Sequence, residues 1–260
     1  MSHISYSELK TWVECPWKHK LNYVERINQF KGNEYTAFGT ALHTVCENLV
    51  LENEVNPKTL FQEEFLNNLR SLKNDDPELL LREDLVSQMR VQGDQIIEYI
   101  LPALKAYFGS FELIEVEEKL FEGIEDKDYN FKGFIDLVVK TSDDKYHIID
   151  WKTCSWGWDA RKKADKMITY QLTLYKSFWC QKHNIDLRDV QTHFALLKRT
   201  AKKELVEIFK VTSGAKKTEN ALKLLNKAIY NVKRQNHIKN KLSCHGRYGT
   251  CEYYKTKHCP

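Results

Sequence analysis

Two short runs in the middle of the chain carry the residue types that act on phosphates. Gly133-Phe134-Ile135-Asp136 leads into Leu137-Val138-Val139, and His147-Ile148-Ile149 leads into Asp150-Trp151-Lys152. Both carboxylates sit in hydrophobic, strand-like surroundings. If the two strands pair as a hairpin, Asp136 and Asp150 lie side by side. Lys152 then returns to the face of Asp150, because strand side chains repeat every second residue. Crowding two carboxylates is costly unless a cation compensates them, and hard oxygen ligands suit Mg2+ or Mn2+. Such an ion neutralises charge on a phosphate and lowers the pKa of an attacking water, while the lysine binds the phosphate or orients the water. That is the chemistry of phosphodiester hydrolysis. A D-x-K triplet alone is common, and a structural salt bridge is its usual meaning.

Other residues share the pattern without settling it. Gln171 and Tyr175 stand four apart, on one helical face. His43 and Glu47 have the same spacing, with Glu47 a salt-bridge partner or a further ligand. Trp156, Trp158, Arg161, Lys162 and Lys163 follow the lysine directly. Aromatic faces beside cations suit stacking of unpaired bases and contact with phosphates, although a loop packed down by its own tryptophans reads the same way.

The elements that must position these residues are legible in outline. Ser5-Tyr6-Ser7-Glu8 is a capping box that opens a helix over about 6–27, kinked or split by Pro16. Gly39 to His43 opens a second helix reaching about Leu51, Pro57 starts a third, and Leu85 to Phe108 forms a fourth. After Gly109 the period changes to two. Strands are expected from Phe111, over 131–140 and over 146–151, the last two joined by the turn Ser142-Asp143-Asp144. A helix follows over 161–183, then a hairpin of 190–197 with 204–211, and a last helix from Gly214 to about Asn240. The expected domain is a single α/β unit over 1–260, mainly helical in 1–109, with a sheet core in 110–212 and a helix plus cysteine-bearing tail in 213–260.

Composition excludes several classes. In 260 residues, 42% hydrophobic and 29% charged content is globular rather than disordered. No apolar run approaches the roughly 20 residues of a membrane span, and the first residues lack a signal-peptide core. The expectation is a soluble, cytoplasmic protein with no membrane partner. No G-x-x-x-x-G-K-[ST] motif is present, which argues against a fused helicase. The net charge of +4 is modest but unevenly spread. Residues 198–241 hold thirteen Lys or Arg against Glu204, Glu207 and Glu219, whereas 112–128 is acidic. The basic third suits a phosphate backbone as well as it suits a solvated helix face.

Together these residues resemble the PD-(D/E)XK nuclease superfamily, in its RecB-like and Cas4-like branch. Gly39-Thr40-Ala41-Leu42-His43 is similar to that branch's histidine motif, Gly133 to Asp136 to its GxxD, Asp150-Trp151-Lys152 to its (D/E)xK, and Gln171 to Tyr175 to its QxxxY. Ser5 to Leu9 with Cys15 to Leu21 resembles its N-terminal signature. The resemblance implies a restriction-endonuclease-like core of helix, three strands, helix and strand. It implies His43, Asp136, Asp150 and the Trp151 carbonyl as metal ligands, Lys152 as the catalytic lysine, and Gln171 and Tyr175 as residues that organise the site or touch DNA. Asp150 stands where many members carry Glu.

Cys15 also lies at the branch's first cluster-cysteine position, and Cys244, Cys251 and Cys259 close the chain. Four thiolates can hold a [4Fe-4S] cluster that staples the chain ends. The spacing of the last three departs from the branch. With His245 and His258 beside them, zinc or free thiols remain alternatives. Cys46, Cys154 and Cys180 read as small buried hydrophobes. The implied activity is a metal-dependent DNA nuclease, a single-strand exonuclease of recombination, repair or replication, cellular or phage-encoded. A Cas4-like nuclease for CRISPR spacer acquisition and a non-catalytic DNA-end binding protein are the alternatives. Single-stranded DNA or free DNA ends are the implied partner, with homo-oligomers and replication or recombination proteins also compatible.

Overall fold

The computed structural model describes residues 2–27, 30, 32–125, 128–246 and 249–260. In chain order the elements are β1 (Ser2–Ser5), α1 (Tyr6–Glu14), α2 (Pro16–His19), a π-helical turn (Lys20–Val24), α3 (Glu34–Val50), α4 (Pro57–Asp75), α5 (Glu83–Phe108), β2 (Phe111–Gly123), β3 (Tyr129–Thr141), β4 (Tyr146–Cys154), α6 (Ala160–Ala164), α7 (Lys166–His183), β5 (Val190–Lys198), β6 (Val206–Val211) and α8 (Ala215–Lys233). The mixed α/β character and the succession of helix, three strands, helix and strand match the expected core.

Several boundaries differ from expectation for local reasons. The helix expected over 6–27 breaks at Cys15, whose backbone is extended (φ −159°, ψ 110°) as a residue before proline prefers. Residues 28, 29 and 31 beyond it, and Asp126 of the acidic stretch, lie outside the described residues. Only half of the Ser5–Glu8 capping box forms: Ser5 Oγ accepts from the Glu8 N–H at 3.1 Å. The Glu8 carboxylate goes instead to the buried His19, with Oε1 2.8 Å from Nε2. The second helix begins at Glu34, ahead of Gly39, because Asn33 caps it and Thr36 Oγ1 accepts the Asn33 N–H in return. The helix expected over 161–183 divides at Asp165, whose carboxylate caps α7 through the Ile168 N–H at 3.1 Å. The last helix stops at Lys233, and Gln235 just beyond it is left-handed (φ 55°).

The chain folds into two compact units. One comprises the described residues of 1–31, 121–133 and 214–260. Within it β1 pairs in parallel with the start of β3, Ser2 opposite Tyr129 and Ser5 opposite Lys132. The other comprises 32–120 and 134–213. Its sheet is ordered β3-β4-β5-β6. β3 and β4 are antiparallel, with Leu137 opposite Ile149. β4 and β5 are parallel through the α7 crossover, and β5 and β6 form the expected hairpin. One face of this sheet, through Leu137, Val139, Ile149, Trp151, Ala195 and Leu197, shares a core with α3, α4 and α5. Among the described residues no helix is long and apolar enough to cross a membrane.

On the neighbouring strands β4 and β5, His147 Nδ1 and His193 Nε2 lie 3.0 Å apart under Phe108. Burial, reinforced by His147 and Lys210, pushes His193 down to about 3. A histidine buried neutral contributes stability that is complete above its unfolded value of about 6.5 and is lost as pH falls toward its folded value. Between about pH 6.5 and 3 the His193 contribution should fall by up to about 1.4 kcal/mol per pH unit. Urea unfolding at pH 7, 6 and 5 should show the loss, and His193→Gln should flatten it.

Candidate active site

The residues singled out from the sequence converge within the second unit. Asp136 lies one step along β3 from Leu137, so the ladder register sets it opposite Asp150 on β4. Here the ladder gives way to a side chain: Asp136 Oδ2 accepts the Trp151 N–H at 2.7 Å. The Trp151 indole turns to the other face and is 2% exposed in the core. Lys152 shares the face of Asp150 and forms an ion pair with its Oδ2. Gln171, from α7, donates to Asp150 Oδ1 at 2.7 Å and lies 3.3 Å from the Tyr175 hydroxyl. The Q-x-x-x-Y pair therefore faces the site as one unit.

α3 delivers His43 from the opposite side. Gly39 lets the helix close on β4, since a Cβ there would lie 3.2 Å from Thr153 Oγ1. One turn later His43 Nδ1 comes within 3.6 Å of Asp136 Oδ2. Cys46, on the same helix, is fully buried, and burial raises its thiol.

Sequence reasoning missed one residue. Glu117 on β2 read as an ordinary alternating strand position. Yet a ligand atom from each of His43, Glu117 and Asp136 lies within 4.8 Å of the other two. Its backbone is left-handed (φ 48°), a conformation a non-glycine residue holds at a cost of about 1–3 kcal/mol. No local signal marks this, because the flanking residues alternate as in an ordinary strand.

The electrostatics describe a site short of positive charge. Burial, then the Asp150 charge, push the Asp136 carboxyl well above its usual range, with Lys152 opposing. Burial, then Glu47 and Asp150, raise Glu117. Burial lowers His43, leaving a neutral imidazole able to ligate. Such a set fits a hard divalent cation, whose charge would favour ionised carboxylates and a neutral imidazole.

The residues after β4 divide into two kinds. Trp158 packs on Phe194 and Phe209 at 5.1 and 6.1 Å, with Lys162 Nζ 4.6 Å from its ring. Lys163 is tied to Glu207. These three anchor the loop. Trp156 is 76% exposed, and Arg161 is exposed as well.

All four cysteines of the expected cluster lie in the first unit and are free thiols. There the two ends of the chain meet. Trp17 Nε1 donates to the His258 carbonyl at 3.0 Å, and Asn240 Nδ2 to the Glu14 carbonyl at 2.9 Å. The Asn240 N–H donates to Cys15 Sγ at 3.4 Å, and its carbonyl accepts from Cys244 Sγ at 3.9 Å. Cys251 N–H donates to the Cys244 carbonyl at 2.8 Å. Cys46 and Cys180 are buried as expected, whereas Cys154 is half-buried.

Carboxylates, a lysine and a histidine gathered on a mixed sheet suit the hydrolysis of phosphate esters, and comparison with known proteins gives the family. The family model of the PD-(D/E)XK nuclease superfamily matches residues 3–260, and the chain belongs to that superfamily. It is a nuclease. A crystal structure of a protein from Eubacterium rectale, provisionally named an exonuclease, covers 98% of this chain and 86% of its own at 13% identity and a TM-score of 0.55, a likeness of fold. SSO0001, another solved structure, covers 83% of this chain and 84% of its own at 13% identity, but its TM-score of 0.34 carries no argument. No curated protein matches the sequence.

Proposed function

We propose that the protein is a metal-dependent deoxyribonuclease that degrades single-stranded DNA from free ends, acting inside the cell in recombination, repair or replication. The observation that carries this reading is the convergence of Asp136, Asp150 and Lys152 on the adjacent strands β3 and β4, with His43 and Gln171 closing on them. A Mg2+ or Mn2+ ion held there by His43, Asp136, Asp150 and the Trp151 carbonyl would offset phosphate charge and supply a more acidic water. Lys152 holds the scissile phosphate and stabilises the charge that builds on it. Gln171 fixes the Asp150 carboxylate, and Tyr175 supports Gln171.

Exposed Trp156 and Arg161, a few residues past Lys152, suit a strand whose bases are free to stack. The exonuclease name of the Eubacterium rectale protein supports action from ends. Linear and circular forms of one single-stranded DNA, incubated with Mn2+, test the mode: the linear form should be degraded and the circle spared. Cutting of the circle at a similar rate would contradict it. Trp156→Ala should weaken single-strand binding by about 1–3 kcal/mol, a typical loss for one stacked base. Trp158→Ala should instead lower the melting temperature.

Support for a thiolate-bound group in the first unit comes from Cys15 Sγ, which accepts the Asn240 N–H four residues before Cys244. We assign Cys15, Cys244, Cys251 and Cys259 to a [4Fe-4S] cluster that would lock the chain ends together. Protein purified without oxygen should be brown and contain iron and sulfide, and Cys15→Ser should lose both. A colourless, zinc-loaded protein would overturn the assignment.

A further inference from the structure

We propose that Glu117 is a ligand of the divalent ion, forming with His43 and Asp136 a set that holds it beside an Asp150 fixed by Gln171 and Lys152. This rests on the reading that the site binds a divalent cation. Adjacent ligands of an octahedral ion at about 2.1 Å lie about 3 Å apart, and opposite ones about 4.2 Å. His43 Nδ1 and Asp136 Oδ2 are 3.6 Å apart, and one ligand atom from each of His43, Glu117 and Asp136 lies within 4.8 Å of the other two. The three therefore need only a small inward shift to embrace one ion.

Asp150 is placed differently. Its Oδ1 is bound by Gln171 at 2.7 Å and its Oδ2 by the Lys152 ammonium. Each oxygen keeps a second lone pair, so Asp150 can meet the ion only in the direction those two contacts leave open, whereas among the described residues no hydrogen bond or ion pair fixes Glu117. Among the described residues no cation pairs with Glu117, and the charges that act on it, Glu47 and Asp150, repel it. An exposed glutamate relieved of repulsion would turn away to solvent, but the left-handed backbone at this position of β2 aims it toward His43 and Asp136. Breaks in strand regularity beside active sites commonly re-aim a side chain in this way.

The test is Mn2+ titration by calorimetry and electron paramagnetic resonance on the full-length protein, without DNA, so that it does not depend on turnover. Glu117→Gln should weaken Mn2+ binding by about 10- to 100-fold, no less than the loss of a supporting residue around a metal. Glu47→Gln removes a similar charge from outside the ligand set and should cost less than about threefold. It distinguishes ligation from the general field. Equal affinity in Glu117→Gln and wild type, or equal loss in Glu47→Gln and Glu117→Gln, would overturn the proposal. Loss of binding in Asp136→Asn with none in Glu117→Gln would leave the metal-site reading standing and Glu117 outside it. A wild type that binds no Mn2+ would remove both. Should Glu117→Gln fail to fold, Glu117→Asp decides: a shorter carboxylate should bind with intermediate affinity, and wild-type affinity would contradict the proposal.

Discussion

Lys152→Ala is expected to lower the turnover of DNA by about 10²- to 10³-fold, the usual loss when one preorganised charge stabiliser is removed from an active site. The effect should fall on kcat more than on KM. In the proposed role Lys152 would meet one phosphate among the many that hold a strand, so its contribution would be concentrated where negative charge builds in the transition state. The substitution has a second consequence. Asp150 is 2% exposed, and without the ammonium its carboxylate keeps only the Gln171 bond. Metal-free Lys152→Ala should therefore melt below wild type, and saturating Mn2+ should narrow the gap. Lys152→Arg should not restore the rate, because a planar guanidinium cannot occupy the place of a compact ammonium.

The second large effect concerns the scaffold that presents His43. Phe61 of α4 is fully buried, edge-on to Phe38 at 5.6 Å and stacked on Phe65 at 5.7 Å. Phe61→Ala should destabilise the protein by about 3–5 kcal/mol. Gly93 lies inside α5 directly over the same ring, and a Cβ there would sit 2.1 Å from the Phe61 Cε1 and Cζ atoms. Replacing a helical glycine by alanine ordinarily gains about 1 kcal/mol. Here overpacking of a rigid ring, about 1–3 kcal/mol and more for so short an approach, should outweigh it. Gly93→Ala should thus destabilise alone but stabilise in the Phe61→Ala background. Such a reversal of sign is measurable by urea denaturation as a double-mutant cycle.

The pattern of what the sequence revealed follows from the range of the forces involved. Asp136, Asp150 and Lys152 were legible because strand alternation fixes their shared face, and the β3–β4 register then sets the carboxylates opposite each other. Gln171 and Tyr175 were legible because helical spacing places them together. The role of Gly39 was recognised only as part of a motif, and its physical reason, contact with Thr153, needed the packed helix and strand. Caps set by distant partners were misread: Glu8 left its capping box for His19, eleven residues away. Glu117 was invisible because it sits in an alternating strand pattern that carries no sign of its left-handed backbone. The tryptophans illustrate the same limit, since only packing against Phe194 and Phe209 separates Trp158 from the exposed Trp156.

The central claim is that Asp136, Asp150 and Lys152 form a metal-dependent phosphodiesterase site. Its most direct test is single-turnover cleavage of an end-labelled oligonucleotide by wild type and Asp150→Asn, each with Mn2+ and with chelator. The predicted result is product with wild type and Mn2+ alone. Cleavage that survives both the chelator and the substitution, or a wild type that binds the oligonucleotide with Mn2+ and leaves it whole, would contradict the assignment.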